Sequence, residues 1–118
     1  MSRHNEIGAL GEHIAVDFLK NKNYDILERN WRFKKAEIDI IARYNETLIF
    51  IEVKTRSYDF FGRPEEFVTS HKEQLISEAA NEYMIQTNYD WAIRFDIISI
   101  IYKNENDFEI EHFEDAWW

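Results

Sequence analysis

Residues 37–54 have the sequence EIDIIARYNETLIFIEVK, and this stretch decides the fold of the chain. Ile, Val and Phe dominate both ends of it, and such residues favour β-strands. Asn45, between the two apolar runs, is a residue type that favours turns. The stretch therefore predicts two neighbouring strands, residues 37–42 and 48–54, joined as an antiparallel hairpin.

Charged residues interrupt these two strands at alternate positions: Glu37 and Asp39 on the first, Glu52 and Lys54 on the second. Alternate side chains of a strand point to the same side of the sheet, so each pair is expected on one face. A hairpin that turns near Asn45 puts Asp39 beside Glu52 and Glu37 near Lys54. Two carboxylates and an ammonium group are thus expected to converge.

The expected Asp39–Glu52 pair suits a metal ion. Carboxylates packed closely repel one another, and burying them is costly unless a cation compensates their charge. Mg²⁺ (or Mn²⁺) fits because Mg²⁺ prefers oxygen ligands and binds through one or two carboxylates. A metal beside Lys54 suits phosphodiester hydrolysis, since the lysine stabilises charge on the attacking water or on phosphorus.

The alternative is a cross-strand ladder of salt bridges on a solvent-facing sheet. Alternating charges are common on half-exposed strands, so spacing alone favours this alternative. Ile41 and Phe50 are expected on the same face as the charges. Their presence indicates that this face is partly covered.

Outward from the hairpin, periodicity and turn residues predict two helices and three further strands. The second helix is expected to begin with a capping box, Ser70 at the N-cap and Glu73 three positions on. The expected elements are a helix over 4–20, strands over 24–32, 37–42 and 48–54, a loop over 55–67, a helix from Ser70 on, and strands over 91–102 and 108–113. This order, α-β-β-β-α-β-β, favours an α/β fold with a mixed sheet and helices packed on it.

Length and composition bound the class of protein. A chain of 118 residues, 45% of them hydrophobic, is expected to fold as a single domain over residues 1–118. It has no cysteine, which excludes disulfides, zinc–thiolate sites and cysteine nucleophiles. No apolar run is long enough to span a membrane, and the first residues lack an apolar secretion signal. A cytoplasmic protein without membrane association is the expectation.

The net charge of −9 argues at first against a nucleic-acid partner, because binding phosphates usually requires a basic surface. Its distribution weakens that argument. Residues 1–72 hold 12 basic and 12 acidic residues, whereas residues 73–118 hold 2 basic and 11 acidic ones. The acidic second part favours a protein partner, while the first part has enough basic residues for a basic face. The alternative for those basic residues is ordinary solvated charge.

A family resemblance begins at the two strand motifs. Residues 37–39 (EID), followed by residues 52–56 (EVKTR), resemble the restriction-endonuclease-like, or PD-(D/E)XK, signature. More narrowly, the chain resembles the bacterial YraN-like family, whose pattern it matches in order from Gly8 to about Ile98. The further matching residues are Gly8, Gly11, Glu12, Ala15, Arg29, Asn30, Phe61, Gly62, Lys72, Arg94, Phe95 and Asp96.

This resemblance implies a restriction-endonuclease-like αβββαβ core related to archaeal Holliday-junction resolvases. It implies a Mg²⁺-dependent DNA endonuclease that selects branched structures, as in DNA repair or recombination. Asp39 and Glu52 would be the metal ligands, Lys54 the catalytic lysine, and Glu12 on the first helix an additional or more distant carboxylate. A symmetric homodimer would place two active sites on opposing strands of a junction.

Three basic residues are candidates for contact with nucleic acid. Lys72, at the start of the second helix, is placed to hold a phosphate near the helix N-terminus. Arg56 and Arg63 lie on the loop after the second hairpin strand, together with Phe60 and Phe61. Basic and aromatic residues on a loop suit unpaired or distorted nucleic acid. The alternatives are a solvated lysine and a loop that packs its aromatic rings on the core.

For the chain as a whole, the rival to a nuclease is a nucleic-acid-binding or protein-interaction module with little or no catalytic activity. Asp96 is expected to have a structural role, paired with an arginine. The tryptophans Trp91, Trp117 and Trp118 are expected to pack in the core or an interface. The histidines show no metal-ligand spacing, so surface or capping roles are expected for His4, His13, His71 and His112.

Overall fold

The computed structural model describes residues 3–58 and 69–117 of the chain. Its elements are helix α1 (Arg3–Asn21), strands β1 (Asp25–Phe33), β2 (Ala36–Tyr44) and β3 (Thr47–Ser57), helix α2 (Ser70–Thr87), and strands β4 (Ile93–Asn104) and β5 (Asp107–Phe113). The strands form one sheet in the order β1-β2-β3-β4-β5, in which β3 and β4 pair in parallel and the other neighbours are antiparallel. The predicted α/β class, mixed sheet and element order are confirmed.

The two helices cover opposite faces of the sheet. One apolar cluster joins α1 to the sheet and includes Ala15, Val16, Leu19, Ile40, Ala42, Ile49, Ile51, Val53, Ile98 and Ile100. The other joins α2 to the opposite face and includes Ala36, Ile38, Ile41, Leu48, Phe50, Ile76, Ala79, Ala80, Tyr83 and Phe95. Neither of the two described helices is long and apolar enough to cross a membrane.

Strand β3 alternates regularly between these clusters. Ile49 and Ile51 belong to the α1 cluster, and Leu48 and Phe50 belong to the α2 cluster. Because side chains alternate along a strand, the next even-numbered residues of β3 also point toward α2. This alternation brings the charged side chains of β3 to the face that α2 covers.

The β2–β3 hairpin turns at Asn45 and Glu46, both with positive φ (48° and 61°). Two consecutive residues of positive φ match the twist of two-residue hairpins, and Asn tolerates this conformation well. The strands pair from Tyr44–Thr47 to Ile40–Ile51. This is the register that the sequence predicts, and it places Asp39 and Glu52 just beyond the last pair.

Helix α1 lies close to β3 at Gly11. A methyl group on Gly11 would overlap the side chain of Thr55 on β3. Glycine therefore allows the helix backbone to lie against the strand. Glu12, the next residue, is held beside the same part of the sheet.

Helix α2 begins one residue earlier than its expected capping box. Thr69 is the N-cap, with extended backbone (φ −76°, ψ 163°), and its hydroxyl accepts a hydrogen bond from the Lys72 N–H. The prediction of Ser70 as the cap is wrong, because the neighbouring hydroxyl residue has the backbone geometry of a cap and Ser70 is already helical. The predicted loop residues Phe60, Phe61 and Arg63 lie outside the described residues.

Candidate active site

Asp39 is a buried carboxylate at the point where β2 and β3 stop pairing through their backbones. It is 9% exposed, and its Oδ2 accepts a hydrogen bond of 2.8 Å from the Val53 N–H of β3. Burial and the neighbouring Glu52 carboxylate raise the pKa of Asp39 to about 8, while the Val53 hydrogen bond acts in the opposite direction. Asp39 is thus fixed in position at a place unfavourable for its negative charge.

Glu52 is the second buried carboxylate and is 5% exposed. Its Oε1 forms an ion pair with Lys72 Nζ of α2 and lies 4.0 Å from Lys54 Nζ of its own strand. The same oxygen therefore faces two ammonium groups. The sequence predicts Glu52 and Lys54 on one face, and the structure agrees. The sequence gives no sign that Lys72 contacts Glu52.

The two lysines differ in how the site affects their charge. Burial, together with the ammonium group of Lys72, lowers the pKa of Lys54 to about 8. Burial also disfavours the charge on Lys72, but the Glu52 carboxylate outweighs it and the pKa of Lys72 is raised. Lys72 thus provides most of the charge compensation for Glu52.

Asn30 of β1 connects Glu12 to a fourth acidic residue, Glu37. With its amide nitrogen turned toward these carboxylates, Asn30 donates to Glu12 Oε1 at 2.7 Å and to Glu37 Oε1 at 3.2 Å. Asn30 has a positive φ of 52°, a conformation that Asn adopts more readily than most residues. Burial and Glu37 raise the pKa of Glu12, and Glu12 is close enough to Asp39 to contribute to its raised pKa.

Among the described residues, Glu37 forms no ion pair with Lys54, near which the sequence placed it. Glu37 instead pairs with Arg32 of β1 at 2.8 Å. The prediction assumed strict alternation along β2, but Ile38 packs in the α2 cluster while Ile40 packs in the α1 cluster. The strand therefore changes face around Asp39, although Glu37 still lines the same cavity as Asp39 and Glu52.

A cavity of about 410 Å³ opens beside the two carboxylates. Its lining residues are Lys35, Ala36, Glu37, Asp39, Glu52, His71, Lys72, Leu75 and Ile76. A larger hollow of about 720 Å³ between α1 and β1 contains neither carboxylate. The first cavity is therefore the space in which a ligand of Asp39 and Glu52 would lie.

The chemistry of this donor set fits a hard divalent cation. Asp39 and Glu52 are both buried, so a solvent-exposed salt-bridge ladder is not what these residues form. Mg²⁺ in proteins is held by one or two carboxylates and keeps several waters. Within residues 3–58 and 69–117, no group of three or more acidic or histidine side chains is placed to hold a metal ion, so the candidate ligands are these two carboxylates alone.

Comparison with known proteins decides the family. The model of the uncharacterised protein family UPF0102 matches residues 11–100. The chain belongs to the UPF0102 family. UPF0102 proteins of Flavobacterium psychrophilum and Christiangramia forsetii are 52% and 48% identical to it over all of this chain and 98% of their own length. One from Geotalea daltonii is 49% identical over 94% of this chain and 88% of its own length.

The part that matches the UPF0102 model contains all of the candidate site described above. Glu12, Asp39, Glu52, Lys54 and Lys72 all fall within residues 11–100. The expected membership of the YraN-like family, which rested on these motifs, is confirmed as membership of UPF0102. The family description names no activity, so the nuclease assignment stays a prediction.

Of the other two basic candidates in this UPF0102 chain, one is described. Arg56 Nη1 donates to the Thr55 carbonyl at 2.9 Å, and burial lowers the pKa of Arg56. The prediction that Arg56 lies on a loop is wrong, because β3 continues to Ser57. Arg56 follows Lys54 by two positions on this strand, so it points to the same face of the sheet. Arg63 lies outside the described residues.

A second polar cluster surrounds Asp96 of β4, which is fully buried. Its carboxylate accepts two hydrogen bonds of 2.8 Å from Arg94, one of 2.9 Å from the Asp115 N–H, and is 2.7 Å from His112 Nε2. The predicted structural pairing of Asp96 with an arginine is confirmed. His112 is not a surface residue as predicted, since its side chain is 4% exposed.

Two tryptophan predictions have opposite outcomes. Trp117 stacks on Phe95 with ring centroids 4.4 Å apart, as expected of a packing residue. Trp91 is 71% exposed and does not pack in the core. Trp91 precedes β4 rather than lying within it, so it gains no partner from the sheet. Trp118 lies outside the described residues.

Proposed function

We propose that this UPF0102 protein is a Mg²⁺-dependent DNA endonuclease that hydrolyses phosphodiester bonds and selects branched, junction-like DNA. The observation that supports this most is the convergence of Asp39 and Glu52, both buried, with Lys54 on the same strand face. Two buried, repelling carboxylates next to one cavity are costly unless a cation compensates their charge, and metal-assisted hydrolysis uses such a cation. The family resemblance to resolvases supplies the preference for junctions.

Each side chain has a role in this proposal. Asp39 and Glu52 would hold Mg²⁺, which when bound polarises a phosphoryl oxygen and makes water a better nucleophile at neutral pH. The hydrogen bond from Val53 fixes Asp39 Oδ2 and leaves the other oxygen for a ligand. Lys54 would stabilise negative charge as it develops on phosphorus and the attacking water. Glu12, held by Asn30, would add negative electrostatic potential at Asp39 and Glu52 from a greater distance.

The nucleic acid would approach the site from the side of the cavity. Lys35, His71 and Lys72 line that cavity, and Arg56 follows on the same strand face. Contacts of this kind release counterions, so binding of DNA should weaken steeply as salt rises. Binding that is insensitive to salt would favour a protein partner for the acidic second part of the chain.

The test compares cleavage of single-stranded, duplex, flap and four-way-junction DNA with Mg²⁺ and with Mn²⁺. We expect the wild type to cut the junction best and Lys54→Ala to lose about a hundredfold or more in rate, since Lys54 acts in the transition state. Lys103→Ala serves as the control, because Lys103 lies on β4 and its side chain is 55% exposed. Circular dichroism of both variants checks that they fold.

The outcomes separate the two functional classes. A wild type that cuts none of these substrates and whose melting temperature does not respond to Mg²⁺ would overturn the nuclease proposal. Salt-sensitive DNA binding without cleavage would identify the binding module instead. Light scattering with and without junction DNA tests the expected homodimer.

A further inference from the structure

The geometry points to a second role for Lys72. Its ammonium group stays paired with the Glu52 carboxylate until a divalent cation binds there, and it then moves to a phosphate of the substrate. Lys72 would thus hold the place of the metal ion. The first half of this inference concerns the free protein and the cation alone. The second half, the transfer to phosphate, rests on the proposed nuclease function.

Contacts of the free protein support the first half. Lys72 Nζ pairs directly with Glu52 Oε1, and Lys54 Nζ lies 4.0 Å from the same oxygen. The Glu52 side chain is 6% exposed, so water does little to compensate its charge. A cation that binds Glu52 must therefore compete with the Lys72 ammonium for that oxygen.

The anchoring of Lys72 allows such a movement. Its backbone N–H is held by the N-cap Thr69, so the start of the helix stays in place. Its side chain is 33% exposed and lines the same cavity as Asp39 and Glu52. A lysine is flexible along four carbons, and its ammonium group binds phosphate as a point charge. Displaced from Glu52, the ammonium remains at the cavity that a phosphate would enter.

The first half is tested by titrating the full chain with Mn²⁺. Binding is measured by calorimetry or from the electron paramagnetic resonance signal of free Mn²⁺. If Lys72 occupies Glu52 for about nine tenths of the time, the apparent affinity for the cation is lowered about tenfold. We therefore expect Lys72→Met to bind Mn²⁺ about tenfold more tightly than the wild type. Lys72→Gln is a second variant of similar length, and thermal melting checks that both fold.

Lys54→Met is the matched control for metal affinity. It also removes one positive charge beside Glu52, but from a side chain 4.0 Å away rather than in direct contact. If Lys54→Met increases the affinity for Mn²⁺ less than Lys72→Met does, the result supports competition between Lys72 and the cation for Glu52 Oε1. Equal increases in Mn²⁺ affinity would mean that only net charge matters, and this would overturn the inference. Unchanged Mn²⁺ affinity in both Lys72 variants would overturn it as well. Absence of Mn²⁺ binding in every variant, wild type included, would overturn it too.

The second half is tested with junction DNA at saturating Mg²⁺. We expect Lys72→Met to raise KM for DNA and to reduce the salt dependence of binding by about one phosphate contact. Unchanged KM and unchanged salt dependence would refute the transfer to phosphate. If the wild type does not cut DNA although Lys72→Met still tightens Mn²⁺ binding, the proposed function fails and the metal competition stands.

Discussion

Asp39 combines three properties that rarely coincide in a residue kept only for structure. It is buried, it lies near a second carboxylate, and its Oδ2 occupies the place where a backbone carbonyl would accept the Val53 hydrogen bond. The hydrogen bond orients the side chain, while burial and Glu52 disfavour its charge. Such opposing contributions are typical of sites that bind a cation, because the ion removes the cost of the charge.

The replacement Asp39→Asn separates these contributions. Asn keeps an oxygen for the Val53 hydrogen bond but carries no charge, so we expect loss of most Mg²⁺-dependent stabilisation together with a metal-free protein that is more stable by about 1 kcal/mol. The measurement is thermal melting with and without Mg²⁺, in which about 1 kcal/mol corresponds to a few degrees. A variant that melts well below the wild type without metal would show that the Asp39 carboxyl group itself stabilises the fold.

Much of this site follows from sequence at the level of single residues, and its limits have physical causes. Glu52 and Lys54 are found by alternation along β3 and Asp39 by the hairpin register, which both act over short distances along the chain. The contact of Lys72 with Glu52 joins residues of different elements, and no local pattern encodes it. Asn30 gives only a weak signal, since a positive φ at Asn is one of several conformations it adopts.

At the scale of elements, the decisive contact is the close approach of α1 to β3. Gly11 lies against Thr55, one position beyond Lys54, and Glu12 follows directly on the helix. Periodicity predicts the helix but not its distance from the sheet, because that distance depends on the side chain of Thr55. The helix therefore sets how near Glu12 comes to the carboxylate pair.

We expect Gly11→Ala to destabilise the protein by about 1 to 3 kcal/mol, because the added methyl group overpacks the contact with Thr55. It should also weaken Mn²⁺ binding, since Glu12 moves with the helix. Gly8→Ala is the control: a methyl group there meets nothing within 4 Å, and alanine favours a helix, so stability should rise slightly. Urea unfolding of both variants measures the difference. Equal stability of the two would contradict the close contact.

At the scale of the whole molecule, the Asp96 cluster joins the end of the described chain to the sheet. Asp96 accepts from the Asp115 N–H, the Ala116 N–H donates to the Phe95 carbonyl at 2.8 Å, and Trp117 stacks on Phe95. Sequence predicts that Asp96 pairs with an arginine, but the contributions of His112 and Asp115 depend on where β5 returns along β4. The cluster lies apart from the cavity at Asp39, so its role is in stability.

This cluster makes one contribution to how the stability of the protein depends on pH. Burial disfavours the Asp96 charge, but hydrogen bonds from His112, Arg94 and Asp115 outweigh it and lower the pKa of Asp96 below its ordinary 3.8. The folded state therefore binds this proton less tightly than the unfolded state. The stabilisation is fully present above pH 3.8 and is lost as the pH falls from there through the lower folded-state pKa.

We expect Asp96→Asn to lower the free energy of unfolding by about 3 kcal/mol near neutral pH, because Arg94 loses its buried partner. The difference from wild type should shrink as the pH falls below the ordinary aspartate pKa. Glu109→Gln, at an exposed position on β5, is the control and should leave the pH dependence unchanged. Urea midpoints across the acid range measure both. A difference that stays constant with pH would assign the effect to packing alone.

The parallel pairing of β3 with β4 has a consequence for the rate of folding. Ile40 meets Ile51 across a short turn, whereas Leu48 meets Ile93 only after the whole α2 crossover has closed. Closing a long loop precedes any gain from the contacts it makes, so the local hairpin should form before β4 docks. Asn45→Ala, in the hairpin turn, should therefore slow refolding. Ile98→Val, in buried β4, should chiefly speed unfolding, and stopped-flow kinetics in urea would distinguish these two effects.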